Sequence, residues 1–312
     1  DTLRHASARL SRPDFCLVPG EEVSVRNSRG RAVHLATVNC PEYLPGRGDA
    51  GRSLRRPAGD PSIPEALARV ARHPEAFAFA AHPGVHEGLL ERLLLHRGRW
   101  SDTDMTAALP ATQFWDGRIG PELFRGRRQW ISRLLKGHHL VFLGGNDAHG
   151  DFNRTRKIGF PFLYTAESTL PRFGHVRTAV KTDVLTPEAI TGSLRQGRAV
   201  VTTGPFITLH AEMEGRRFET GDTIPAGRAT VTLQVLSTPE FGPLGPVTVY
   251  QGTPGREERK IQLPEPPSAT PSIRRFEWEI ETTEPGYLRA EVSSTAGSDV
   301  FYGFTNALWF GA

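Results

Sequence analysis

The hydrophobic periodicity of this chain changes at Gly204-Pro205, and this change divides the sequence into two parts. Up to Thr203, short apolar runs of strand character alternate with segments of helical spacing. After Pro205 the helical spacing disappears, and segments with a period of two residues recur between turn residues. We therefore predict an α/β domain over residues 1–205 and an all-β, immunoglobulin-like sandwich over residues 206–312.

Six apolar runs in the first part favour strands: residues 15–18, 32–38, 77–81, 111–115, 140–143 and 199–203. Helical spacing favours helices near the start of the chain and at residues 64–72, 88–96, 121–136 and 186–197. Apolar strands that alternate with amphipathic helices predict a parallel sheet or barrel covered by helices. Such folds place their chemistry at the carboxyl ends of the strands.

In the second part, alternating segments favour six strands: residues 207–213, 230–236, 247–251, 275–280, 288–292 and 300–304. Trp278 and Trp309 are expected in the core of this domain, because large aromatic side chains are buried more often than not.

Composition excludes several function classes. The net charge is +4, and the arginines are scattered along the chain without the aromatic residues of a nucleic-acid platform. A basic surface could favour a small anionic substrate, but a compositional bias towards arginine is the favoured explanation of the charge. No apolar run is long enough to cross a bilayer. Cys16 and Cys40 form no zinc knuckle, and neither compartment nor oligomeric state follows from the sequence.

Asp147 and His149 follow the apolar run at residues 140–145. A carboxylate and an imidazole two residues apart, at the end of a buried strand, both aim at one point in a cleft. Such a pair of oxygen and nitrogen donors is what a hydrolytic metal centre needs.

Three further candidates lie in similar settings. Glu22 follows Pro19-Gly20, where a sharp turn points a carboxylate into a cleft, although a solvated acidic turn has the same sequence. His34 lies within an apolar strand, where a core histidine is the alternative. His82 ends the most apolar strand, directly before Pro83.

Other residues are weaker candidates. Asp116 ends a strand and either supports a ligand or caps the next turn, and His86 is expected either at the surface or in support of a ligand. There is no phosphate-binding loop of the Walker type and no Gly-x-Ser-x-Gly motif. The residues therefore favour water activated by a metal over a side-chain nucleophile.

Seven segments of the chain stand in an order that is similar to one known family. They are residues 18–23 (VPGEEV), 33–35 (VHL), 80–83 (AAHP), 114–117 (FWDG), 145–149 (GNDAH), 197–206 (GRAVVTTGPF) and 304–309 (FTNALW). This order resembles the PHP (polymerase and histidinol phosphatase) metal-dependent hydrolases, and more narrowly their CehA/McbA-like branch. The resemblance spans nearly the whole chain.

The resemblance implies a distorted seven-stranded β/α barrel with two or three divalent metals, usually zinc, manganese or iron, at its mouth. Glu22 would be the bridging carboxylate, and His34, His82, Asp147 and His149 would be metal ligands. Glu22, Asp147 and His149 would take part in catalysis. Activated water would attack a phosphoester, or a carbamate, amide or ester bond, in a small-molecule substrate.

One departure qualifies the resemblance. Family members open with a His-x-His motif on the first strand, and nothing upstream of Glu22 matches it. We therefore expect the first domain to be N-terminally incomplete, with about half of the family's ligands, which leaves weak metal binding without turnover as one outcome. The alternative is a non-catalytic binding protein, in which a degenerate barrel presents the β-sandwich for contact with carbohydrate or protein.

Overall fold

The computed structural model describes residues 2–46, 60–84, 96–116, 119–147, 155–157, 164–166, 174–264, 266 and 270–311. Within these residues the protein is mixed α/β and mostly strands. The helices are α1 (Thr2–Leu10), α2 (Ile63–Val70), α3 (Pro121–Leu134) and α4 (Pro187–Arg195), with a short 3₁₀ helix at Pro239–Phe241. The predicted helix at residues 88–96 and the candidate His86 lie outside the described residues, apart from His96.

The strands fall into two groups along the chain. The first comprises β1 (Gly20–Arg26), β2 (Ala32–Val38), β3 (Phe77–Ala81), β4 (Ala111–Trp115), β5 (Val141–Gly144), β6 (Thr155–Lys157), β7 (Tyr164–Ala166), β8 (Arg177–Val180) and β9 (Ala199–Thr202). The second comprises β10 (Phe206–Met213), β11 (Arg216–Glu219), β12 (Thr223–Ile224), β13 (Arg228–Leu236), β14 (Leu244–Gly252), β15 (Arg259–Ile261), β16 (Ile273–Glu281), β17 (Gly286–Ala296), β18 (Asp299–Thr305) and β19 (Leu308–Phe310). In the described part of the chain these strands form open sheets that do not close into a barrel.

The chain folds into two compact units. Unit 1 comprises residues 1–127, 145–175 and 184–191, and unit 2 comprises residues 128–144, 176–183 and 192–312. Unit 1 thus lies wholly upstream of residue 206, whereas unit 2 joins all of residues 206–312 to three earlier segments. The predicted division into domains of residues 1–205 and 206–312 stays a prediction.

In unit 1, strands β1 to β4 lie side by side in chain order. Strands β1–β2 and β2–β3 pair antiparallel, and only β3–β4 is parallel. The prediction of a wholly parallel sheet is therefore wrong for these strands. The link between β1 and β2 is residues 27–31, which is too short for the crossover that parallel strands require.

The start of unit 1 also differs from the sequence-based expectation. Residues 15–18 form no strand beyond an isolated bridge between Arg12 and Phe15, and the first strand begins at Gly20. Glu22 therefore lies within a strand, and the prediction that it follows one in a turn is wrong. Val23 and Val25 of β1 are buried, so the face of the strand that carries them packs into the interior of unit 1.

Helix α2 shows how local sequence sets an element in unit 1. The Ser62 side chain accepts a hydrogen bond from the backbone N–H of Glu65, and the Glu65 carboxylate accepts one from the backbone N–H of Ser62. This capping box confirms the predicted helix start. The buried face of the helix consists of Ile63, Ala66, Leu67 and Val70.

In unit 2, all six strands predicted after Pro205 are present, although each is longer than predicted at one end or both. Strands β11, β10, β13 and β16 form one antiparallel sheet, and β17 with its neighbours forms a second. Alternate residues of both sheets meet in one apolar core, which includes Ile207, Val231, Leu288 and Val292. Trp309 is buried, as expected, and Trp278 packs against this core while partly exposed.

A cation, Arg289, is buried in unit 2. The side chain of Arg289 is 1% exposed and makes a two-pronged ion pair with Glu258, with N–O distances of 2.7 Å. Glu291 is its second carboxylate partner, and the Tyr250 ring lies 4.1 Å from the guanidinium carbon. Every face of this charge is matched, which is what makes its burial tolerable.

Two glycines, one in α3 and one in α4, offer a test of how tightly the helices are packed. At Gly126 in α3, a Cβ would lie 2.2 Å from Cβ of Phe114, whereas at Gly192 in α4 a Cβ meets nothing within 4 Å. We expect Gly126→Ala to lower the free energy of unfolding by about 1–3 kcal/mol through overpacking. Gly192→Ala should raise it by about 0.5–1 kcal/mol through helix propensity. Urea denaturation measures both, and equal effects of the two substitutions would contradict the packing of α3 on β4.

Candidate metal centre

The register of β1 against β2 places a carboxylate beside an imidazole. Glu22 pairs with Ala36, and Ser24 pairs with His34. Glu22 and His34 are therefore diagonal neighbours on one face of the sheet, a separation that long side chains bridge. Val33 and Leu35 alternate with His34 and point to the opposite, buried face.

His82 reaches the same point from the end of β3. It is the first residue after Ala81 and has a backbone φ of +32°, in the left-handed region that residues other than glycine rarely adopt. Its backbone N–H donates to Oε1 of Gln113 on β4 over 3.3 Å. The turn that follows β3 is thus held by a neighbouring strand, and it directs the imidazole back over the sheet.

The three side chains converge on one point. Nδ1 of His34 lies 2.6 Å from Oε1 of Glu22, and Nε2 of His82 lies 3.0 Å from the same oxygen. The two nitrogens are 3.1 Å apart, and the rings meet edge to face at 88°. Among the described residues, this is the group of His, Cys, Asp or Glu side chains whose ligand atoms all lie within 4.8 Å of one another.

The electrostatics of the cluster favour an ionised carboxylate. Burial alone would raise the pKa of Glu22, but the hydrogen bonds and charges of His34 and His82 outweigh burial and hold that pKa well below its usual range. Glu22 therefore carries its negative charge across the whole physiological pH range. An ionised carboxylate is the form that binds a metal.

The donor set fits a divalent cation. Two imidazole nitrogens and one carboxylate oxygen suit zinc, iron and manganese. Ligand atoms that share one cation at about 2.1 Å are separated by about 3 Å when adjacent in octahedral geometry, which matches the three distances in the cluster. The side chains are 38%, 12% and 16% exposed for Glu22, His34 and His82, so the point of convergence faces an accessible space.

Of the two remaining predicted ligands, the structure describes Asp147 and does not describe His149. Asp147 is exposed, has a φ of +48° and is not part of the cluster. It belongs to the segment after β5, whose Gly145 carbonyl accepts a hydrogen bond of 2.8 Å from Nε2 of Gln113. Gln113 thereby ties this segment to His82. His149 lies outside the described residues, so its role as a ligand stays a prediction.

Glu21, the acid directly before Glu22, and the candidate Asp116 both lie outside the cluster. The carboxylate of Glu21 accepts a hydrogen bond of 2.9 Å from the backbone N–H of Leu44. Because side chains alternate along β1, Glu21 lies on the face opposite Glu22. Asp116 directly follows β4 and is half-buried.

In the segment at residues 197–206, the hydroxyl of Thr202 donates to the Pro205 carbonyl over 2.7 Å, a contact that stabilises the turn there.

Next to the cluster lies a shallow cavity in unit 1 that is open to solvent. It is lined by Ala32, Val33, His34, Ala81, His82, Pro83, Arg97, Gly98, Arg99 and Trp100. The sequence-based reasoning missed Arg97 and Gln113. A polar residue inside the apolar run at residues 111–115 was the available signal for Gln113, whereas nothing in the local pattern distinguishes Arg97 from the other arginines.

Comparison of the chain with protein-family models, with curated proteins and with solved structures gives no match in any of the three. Among the described helices, none is both long enough and apolar enough to cross a membrane.

Adjacent acids provide a matched test of the cluster. We expect Glu22→Gln to lower the metal bound per chain by at least tenfold after incubation with Zn²⁺ or Mn²⁺, because the amide removes the anionic donor. Glu21→Gln should leave metal content unchanged, since its side-chain oxygen can still accept from Leu44. Elemental mass spectrometry of the purified variants measures both, and equal metal content in the two would remove Glu22 from the site.

Proposed function

We propose that this protein is a metal-dependent hydrolase of the PHP type, close to the CehA/McbA-like branch. The observation that carries the proposal is the convergence of Glu22, His34 and His82 at the edge of a cavity. The order of seven sequence segments supports it independently. The bond cleaved is a phosphoester, or a carbamate, amide or ester, in a small molecule.

The finer architecture is part of the same proposal. Residues 1–205 would form a PHP barrel, and residues 206–312 would form an immunoglobulin-like sandwich. The strand-to-turn placement of His82 and the six period-two strands after Pro205 support this assignment.

When bound, a divalent cation supplies Lewis-acid activation of water and of the scissile bond. Three protein donors leave further coordination positions open, the arrangement of catalytic rather than structural sites. Glu22 contributes the negative charge that retains the cation. His34 and His82 contribute neutral nitrogen donors on rigid elements, the middle of β2 and the end of β3.

Asp147 extends the site in this proposal. Gly145, two residues before it, is linked to His82 through Gln113, whose side chain accepts from the N–H of His82 and donates to the Gly145 carbonyl. Both His82 and Asp147 have positive φ values. Residues in this strained conformation cluster at functional sites, where the surrounding structure holds them in place. We propose that Asp147 and His149 complete the ligand set.

Chelation tests the function. We expect the Zn²⁺- or Mn²⁺-loaded protein to hydrolyse at least one of p-nitrophenyl phosphate, p-nitrophenyl acetate and phenyl carbamate, and to lose this activity in a chelator. His34→Ala should lower the rate by more than about 100-fold, since even outer partners of a metal ligand are worth 10–100-fold. Initial rates with and without added metal provide the measurement.

Glu42→Gln is the matched control, because Glu42 contacts His73 at 3.4 Å outside the cavity and belongs to the same unit. Its rate should equal that of the unmodified protein. Stoichiometric metal with no turnover of any of the three probes would contradict the hydrolase and favour the non-catalytic binding protein.

A further inference from the structure

The cavity beside the cluster forms where one strand replaces another next to β2. Strand β3 pairs with residues 35–38 of β2 and then leaves the sheet at Ala81. Residues 96–98 run beside the start of β2 instead, since the N–H of Ala32 donates to the His96 carbonyl and the N–H of Gly98 donates to the Ala32 carbonyl. The cavity opens between these two segments.

Gly98 sets the direction of its neighbours. A Cβ at this position would lie 2.3 Å from Cβ of Arg31 and 2.9 Å from the side-chain nitrogen of Asn27, so the backbone approaches β2 too closely for any side chain. The side-chain amide of Asn27 also donates to the Arg99 carbonyl over 2.9 Å. Because side chains alternate along extended backbone, Arg97 and Arg99 project to the face opposite Arg31.

The charge of the cavity lining is one-sided. Arg97 and Arg99 line it together with His34 and His82, and no carboxylate belongs to the described part of the lining. Glu22 contacts both histidines from the adjoining cluster. A divalent cation held there would add further positive charge next to the two guanidinium groups. Such a concentration of cations in a partly enclosed space attracts anions.

The rest of the lining is apolar and small in extent. Pro83 and the buried Trp100 belong to it, and a shallow cavity that is open to solvent accommodates only part of a ligand or a compact one. A guanidinium presents two parallel donors that match the oxygens of a carboxylate or a phosphate. The complementary ligand is a small molecule with one oxyanion group and a compact apolar body.

We propose that Arg97 is the specificity-determining residue of this site and binds the oxyanion group, carboxylate or phosphate, of a small substrate. The proposal rests on the hydrolase function proposed above, because it assigns the substrate class of that site. Arg97 is half-buried in the wall, whereas Arg99 is exposed, so Arg97 carries the larger share of the binding.

Equilibrium binding tests this assignment without relying on turnover. Inorganic phosphate, benzoate and the neutral benzamide are titrated into Zn²⁺-loaded and metal-free protein by calorimetry, with metal content measured on the same samples. We expect Arg97→Gln to weaken binding of the preferred anion by at least tenfold, to leave metal content unchanged and to leave benzamide unaffected. Arg97→Lys should recover part of the loss, because it keeps the charge but not the paired donors.

Arg12→Gln is the matched control, since Arg12 lies in the same unit with its side chain 67% exposed and should not affect anion binding. A preference for phosphate would indicate phosphoester substrates, and a preference for benzoate would indicate carboxylated ones. Arg99→Gln, with a smaller expected loss, keeps the test decisive if Arg97→Gln does not fold.

The two proposals fail separately. A protein that takes up no metal, yet binds the anion in a manner that depends on Arg97, overturns the hydrolase and retains the anion site. A protein that binds metal but no anion, or one whose Arg97→Gln and Arg97→Lys variants bind the anion as tightly as the unmodified protein, overturns the role of Arg97.

Discussion

The antiparallel register of β1 and β2 is the constraint on which the candidate site depends. It sets Glu22 diagonally across from His34, on the face opposite Val33 and Leu35. A shift of one residue in either strand would turn one of these side chains to the buried face, because side chains alternate along a strand. The hydrophobic pattern that buries Val23, Val25, Val33 and Leu35 therefore also specifies the position of the polar pair. The same strand register therefore serves both core packing and site geometry, and the short link at residues 27–31 joins the two strands.

His82 adds a second constraint, which is local: its backbone is strained. A left-handed backbone at a residue other than glycine costs about 1–3 kcal/mol and persists only where its surroundings hold it. Gln113 provides part of that hold, because its side chain accepts from the N–H of His82 and donates to the Gly145 carbonyl. One buried amide thus positions two of the segments in which ligands were predicted. A polar residue at the centre of a fully buried strand is costly unless its hydrogen bonds are made, and these two bonds explain its presence in β4.

Much of the fold follows from local patterns, and much of the site does not. The capping box of α2 and the period-two strands of unit 2 are signals within single segments, and the structure confirms them. His82 was predicted at a strand end because the apolar run and Pro83 define that end. The antiparallel pairing of β1 with β2 was missed because the first strand was predicted at residues 15–18, which hid the short link at residues 27–31. Arg97 was missed for a deeper reason: its relation to His34 exists only through a bridge between residues 65 positions apart along the chain, Ala32 and Arg97.

The polar clusters around Arg289 and around Glu22 differ in a way that bears on function. Arg289 is a charge enclosed for stability: its side chain is 1% exposed, and two carboxylates and an aromatic ring cover its faces. The Glu22 cluster has the opposite character. Two imidazoles approach one carboxylate oxygen, their nitrogens face each other at 3.1 Å, and all three side chains remain partly exposed. The oxygen of an ionised carboxylate can accept a hydrogen bond from each imidazole, and the same three atoms are a donor set for a divalent cation. A cation at the shared point satisfies all three donor atoms at once, which is why this cluster, and not the buried one, is the argument for chemistry.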